Sequence, residues 1–86
     1  MTIKFNKAFR KQIKNLRPAQ KARLQRALVI FQSEPDHPEL YNHALKGQWQ
    51  NHRSIAFGGD WRAHYLPKGK DEALFVAVGT HSQLYK

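Results

Sequence analysis

The spacing of apolar residues changes twice along the chain, and each change marks a new kind of element. Ile3 and Phe5 alternate with Thr2 and Lys4, which predicts a short half-buried strand ending at Asn6, a residue suited to cap a helix. From Lys7 to about Leu16 the apolar positions Phe9, Ile13 and Leu16 recur at i, i+4, i+7, while Lys7, Arg10, Lys11 and Lys14 occupy the opposite arc. Arg17-Pro18 restarts the chain, because proline is favoured in the first helical turn. Leu24, Leu28 and Phe31 then carry a second helix from Pro18 to about Gln32. Val29 and Ile30 fall off that stripe, so its C-terminal end is expected to be buried on more than one side. Each residue before a proline in Glu34-Pro-Asp-His-Pro38 is pushed out of the helical region, and a loop is expected from there to about Gln48.

Beyond that loop the period becomes two. Arg53, Ile55 and Phe57 alternate with His52, Ser54 and Ala56, Gly58-Gly59 supplies a hairpin turn, and Trp61, Ala63 and Tyr65 alternate with Asp60, Arg62 and His64. Pro67 to Lys70 reads as another turn, and Leu74 to Val78 as a nearly all-apolar strand of the kind found inside a sheet. The predicted order is β-α-α-β-β-β with a short tail. This is an α+β fold: a small antiparallel-rich four-stranded sheet with two N-terminal helices packed on one face, in a single domain spanning 1–86.

Charge sharpens the picture more than composition does. The chain carries a formal +9, and all of it lies early: residues 1–26 hold nine bases and no acid, whereas residues 27–86 hold six of each. Such a block attracts polyanions, nucleic acid above all, and an acidic protein would satisfy it equally. Its bland reading is a solvated helix face. There is no cysteine, so disulfides, thiol nucleophiles and Cys-based zinc sites are excluded. The longest apolar run, Ala73 to Val78, falls far short of the ~18 residues that a membrane span needs. The N-terminal residues lack an apolar signal core, and a cytoplasmic location is the expectation.

Five histidines in so short a chain are the main chemical signal. Neither a His-Glu-x-x-His pattern nor a helical i, i+4 histidine pair is present, so no metal and no cofactor is expected. Phosphate-loop, nucleophile-elbow and dinucleotide fingerprints are also missing. His37 between prolines reads as a loop residue and His52 as an exposed strand residue. By contrast, Asp60, Arg62 and His64 fall on one strand parity and are expected to form a row, about 7 Å apart, on the sheet face that the helices leave open. An acid, a guanidinium and an imidazole suit RNA cleavage. That reaction needs a base for the 2′-hydroxyl, an acid for the 5′-oxygen, and cations for the charge developing on phosphorus.

Asn42-His43-Ala44-Leu45-Lys46-Gly47, Trp49, Arg53, Gly59-Asp60-Trp61-Arg62, Tyr65, Val78-Gly79-Thr80-His81 and Leu84-Tyr85 together resemble the RelE/YafQ superfamily of bacterial type II toxins, with the YafQ-like branch closest. The resemblance covers essentially the whole chain. It implies a RelE-like fold and a ribosome-dependent endoribonuclease that cuts mRNA in the decoding site. The implied partners are the 70S ribosome, mRNA and a cognate acidic antitoxin whose own DNA-binding part represses the operon. Carried over position by position, His43, Asp60 and His81 match residues implicated in proton transfer, Arg62 a residue that contacts the scissile phosphate, and Tyr85 one that stacks on or positions a base. Lys7, Arg10, Lys11, Lys14, Lys46, Arg53 and Trp61 are the candidates for contacting RNA or ribosome. A strand histidine of the family aligns with Ala56, which can neither transfer a proton nor carry charge; His64 or His52 is the candidate to compensate. Two other readings stay open: a ParE-like toxin that inhibits gyrase without catalysis, and a plain basic RNA- or ribosome-binding protein.

Overall fold

The computed structural model describes residues 1–85. Strand β1 (Thr2–Phe5) leads into helices α1 (Lys7–Lys14) and α2 (Pro18–Ser33), followed by a 3-10 turn at Pro38–Leu40 and strand β2 (His43–Ala44). A second 3-10 turn at Gly47–Trp49, strands β3 (Arg53–Ala56), β4 (Trp61–Lys68) and β5 (Glu72–Thr80), and the short helix α3 (His81–Leu84) complete the order. The sheet has five strands in the order β1-β5-β4-β3-β2, antiparallel except where β1 runs parallel to β5. The fold class is the expected one, with two differences in detail. The extra strand is the two-residue β2, too short to show a period of two, and the expected tail is helical.

Local chemistry accounts for the boundaries. Asn6 Oδ1 accepts the Phe9 N–H at 2.8 Å, the expected N-cap. Helix α1 stops at Lys14, two residues earlier than its apolar stripe suggested, because the Asn15 and Leu16 N–H groups turn back to the Gln12 and Ile13 carbonyls, a 3-10 pattern that ends the α-helix. Pro18 opens α2 as its first residue.

Both long helices cover one face of the sheet. Phe9 of α1 stacks on Phe5 at 5.0 Å and meets Phe75 at 5.5 Å, while Phe31 of α2 packs edge-on against Tyr65 and Phe75 at 4.9 and 5.3 Å. Burying each such ring stabilises by roughly 1.5–3 kcal/mol, and each aromatic pair adds about 0.5–1.5 kcal/mol. Ile30 packs against this core, but Val29 is 63% exposed, contrary to the double burial expected for that end of α2.

A β-bulge explains why β5 is apolar almost throughout. His64 stands opposite Ala77 whereas Tyr65 stands opposite Phe75, so Val76 is one residue too many. Phe75 and Val78 therefore both join the core on the helix side, although they are three residues apart. Past the end of β1, the Val78 N–H is taken by Gln12 Oε1 at 2.9 Å, a side chain standing in for the missing strand.

Candidate functional site

The other face of the sheet collects the titratable residues. Residues directly opposite in adjacent strands share a face, and the register sets His43, Ser54, His64 and Ala77 in one row across β2, β3, β4 and β5. Ala56, Arg62 and Gly79 form the next row, two residues along.

This face is not open. The Gly47–Trp49 turn and α3 fold over it, so that His64 has no exposed surface. Trp49 meets the His64 ring edge-on at 4.7 Å, and Tyr85, just after α3, does so at 5.4 Å. The expected row of Asp60, Arg62 and His64 on an uncovered strand is therefore corrected at both ends: His64 is buried, and Asp60 is an exposed residue of the hairpin turn before β4. Two bonds hold the cover down. Trp49 Nε1–H and Gln48 Nε2–H both donate to the Leu84 carbonyl, at 2.9 and 3.2 Å.

His64 Nδ1 lies 3.0 Å from Ser54 Oγ, and Nε2 has no partner among the described residues. Burial, with the nearby His52 and His43 rings and the Arg62 guanidinium adding to it, lowers its pKa from 6.5 to about 4. At neutral pH it is an uncharged, inaccessible ring. Burial likewise pushes the Tyr85 phenol up, with Arg62 opposing the shift.

The remaining histidines reach solvent. His43 Nδ1 lies 2.9 Å from the Tyr41 carbonyl, which can only accept, so Nδ1 carries hydrogen and the neutral ring presents a free Nε2 lone pair. His52 is held the same way by the Gln50 carbonyl at 3.1 Å and meets Trp49 edge-on. It precedes β3 rather than lying within it. His81 starts α3 and stacks on Tyr85 at 4.4 Å, and its backbone N–H bonds the Asp60 carbonyl at 2.9 Å. That bond ties the hairpin turn to the start of α3. Thr80 and Gln83 cap α3 reciprocally, with Gly79 beneath them: a Cβ there would come within 2.8 Å of Gln83 Oε1.

Arg62 is half-buried and folds over the hairpin, Nη1 donating to the Gly59 and Trp61 carbonyls at 2.9 Å each. The other candidates lie elsewhere. Arg53 donates through Nε to Asn42 Oδ1 at 2.9 Å, on the parity of the core residues Ile55 and Phe57. Trp61 packs beside Phe57 at the core edge. Lys7, Arg10, Lys11 and Lys14 are exposed on α1, across the sheet from His64. Lys46 is exposed, one residue before the second 3-10 turn. His37 is a loop residue as expected, and its Nδ1 accepts the Glu39 N–H. Sequence spacing did not single out Ser54 or the cover formed by Trp49, because both depend on register and on a loop without periodicity.

The face thus offers imidazoles of fixed tautomer, a guanidinium and aromatic surfaces, a set able to move protons and neutralise phosphate charge. No three His, Asp or Glu side chains converge as metal ligands among the described residues, and no helix among them is long and apolar enough to cross a membrane.

Comparison with known proteins gives the lineage. A search of curated protein sequences gives no match. The fold is similar to that of YafQ from E. coli, with 22% identity and a TM-score of 0.81 over 98% of this chain and 97% of that one. It is also similar to YafQ in the E. coli DinJ-YafQ toxin-antitoxin complex, at 23% identity and a TM-score of 0.78 over 98% and 96% of the two chains. A copper-bound mutant toxin from Helicobacter pylori is 26% identical, with a TM-score of 0.73 over 99% of each chain. Residues 1–86 match the profile of the family described as bacterial toxin of type II toxin-antitoxin system, YafQ, and the chain belongs to that family.

Proposed function

We propose that this toxin is a ribosome-dependent endoribonuclease that cleaves mRNA in the decoding site by acid/base chemistry. The observation that carries the reading is the hydrogen bond from His43 Nδ1 to the Tyr41 carbonyl, on the sheet face that also holds Arg62, Tyr85 and His81. In the neutral ring that bond places the hydrogen on Nδ1 and turns the Nε2 lone pair outward, the arrangement a general base requires. His43 takes the 2′-hydroxyl proton, and the 2′-oxygen attacks the adjacent phosphorus. The bond from phosphorus to the 5′-oxygen breaks as His81 protonates that leaving oxygen, with Asp60 supporting the histidine across the turn. Arg62 neutralises the charge gathering on the phosphate, and Tyr85 positions a base. The products are a 2′,3′-cyclic phosphate and a 5′-hydroxyl. No step needs a metal.

The partners follow from the same reading. The positive charge of α1 and α2, of which Arg26 is paired with Glu39 at 3.2 Å, suits ribosomal RNA and an acidic antitoxin segment that folds on binding, as an antitoxin partners YafQ in the E. coli complex. The place of action is the cytoplasm. Primer extension on mRNA after induced expression tests the activity. Codon-phased cuts that disappear in His81→Ala are expected; broken chromosomal DNA with intact mRNA would return the chain to the gyrase-inhibitor reading.

A further inference from the structure

Tyr41 is unusual in two independent ways. It is 65% exposed, and Val29 is the one other large apolar side chain so exposed among the described residues. It also closes the Pro38–Leu40 turn in the left-handed conformation, φ 48° and ψ 50°, its N–H returning to the Pro38 carbonyl. Glycine or asparagine suits such a stop, since a Cβ is disfavoured there. Asparagine stands one residue later, where its amide is occupied by the Pro35 carbonyl, the Tyr65 hydroxyl and Arg53 Nε. Backbone geometry therefore disfavours an aromatic residue at 41, and the core does not use the ring. Nor does any hydrogen bond among the described residues involve its hydroxyl.

The ring instead extends the functional face. It stacks on His43 with centroids 4.7 Å apart and planes tilted 38°. His43 sits on β2, the outer strand of the sheet, so Tyr41 lies where the histidine row meets solvent. Exposed aromatic rings are stacking platforms by which proteins hold single-stranded nucleic acid, because every base has a face to stack.

We propose that Tyr41 forms a nucleobase subsite, its ring receiving the face of an unpaired RNA base next to the phosphate approached by His43. The subsite rests on the endoribonuclease reading. Strain in a residue kept for its ring makes the role separable from folding. Tyr41→Gly relieves the left-handed conformation and is expected to melt no lower than wild type, yet to lose ~5- to 150-fold in kcat/KM on programmed ribosomes, the range for one lost base stack. Tyr41→Phe and Tyr41→Trp keep a stacking face and should retain activity.

A purely structural role, holding the His43 ring in place, would act on catalysis without touching RNA. The two are separated by NMR on wild-type toxin titrated with a short single-stranded RNA whose 2′-hydroxyls are replaced by hydrogen, which cannot be cut. Stacking requires upfield shifts of the Tyr41 ring protons. Unmoved ring protons, or a Tyr41→Gly protein with wild-type cleavage, would overturn the subsite. Should wild-type toxin cut no mRNA while those protons still shift, the endoribonuclease reading fails and the base-binding site stands.

Discussion

His64 and Ser54 face each other across β3 and β4, and the 3.0 Å contact between Nδ1 and Oγ fixes a neutral imidazole under the rings of Trp49 and Tyr85. Arg62, two residues away on the same strand face, is only half-buried. The sheet thus separates a fully buried histidine from a cation that reaches solvent, although sequence parity makes them equivalent.

That burial has a consequence for stability. With a folded pKa of about 4 against 6.5 unfolded, His64 binds fewer protons in the native state throughout that interval. The unfolded state then gains from acidification: the contribution of His64 is full above pH 6.5, falls as pH drops, and is gone below about pH 4. The difference amounts to about 3 kcal/mol. His64→Leu should flatten the pH dependence of unfolding over this window in urea titrations; an unchanged slope would mean that the ring is solvated in the native protein.

The cover over His64 should be fragile at one point. Trp49→Ala removes the 2.9 Å bond to the Leu84 carbonyl and the edge contact with His64 together. Losing a large aromatic contact typically costs 3–5 kcal/mol in a closed core, and somewhat less is expected for this half-buried ring. The protein should stay folded, but α3, which carries His81, should exchange its amide hydrogens faster. Protection of α3 equal to wild type would show that the capping box of Thr80 and Gln83 holds the segment alone.

Most of the fold is legible in the residue pattern, for reasons that also mark where legibility stops. The helices announce themselves through Phe9, Ile13 and Leu16 and through Leu24, Leu28 and Phe31, and the hairpin through Gly58-Gly59. Strand β2 has no such signal: two residues cannot display a period, and its partner is chosen by tertiary register. The bulge at Val76 is equally silent, since an apolar run reads the same with or without a slipped residue. Of the candidate site, the residue types were visible and the depth was not. His64 and Arg62 share a parity, and only the folded loop at Trp49 buries one of them.

Position also bears on the basic helix. Lys7, Arg10, Lys11 and Lys14 lie on the side of the sheet away from His64, which on the proposed reading suits docking rather than contact with the reacting phosphate. Reversing two of them should raise KM on programmed ribosomes and flatten the salt dependence of binding by roughly one unit of log-log slope per lost phosphate contact, with kcat preserved. A salt slope equal to that of wild type would leave these residues as a solvated face.

Arg62 and Ala56 stand directly opposite one another on β4 and β3, which makes the departure at Ala56 testable. The guanidinium spends Nη1 on the Gly59 and Trp61 carbonyls, which aim it while leaving its other N–H groups free for phosphate oxygens. His64 cannot stand in for the missing histidine as a proton carrier at neutral pH, because it is uncharged and without exposed surface. His52 reaches solvent but is turned toward Trp49. On the proposed mechanism the chemistry rests on His43, Asp60, His81 and Arg62, and each removal should cost at least ~100-fold in single-turnover cleavage on programmed ribosomes. Ala56→His places an imidazole beside Arg62 in its own row and should raise the rate or leave it unchanged. His64→Gln keeps a polar group against Ser54 without a titrating ring, and cleavage near neutral pH should survive it. A ~100-fold loss in a His64→Gln protein that melts like wild type would make His64 a participant in proton transfer and overturn this division of labour.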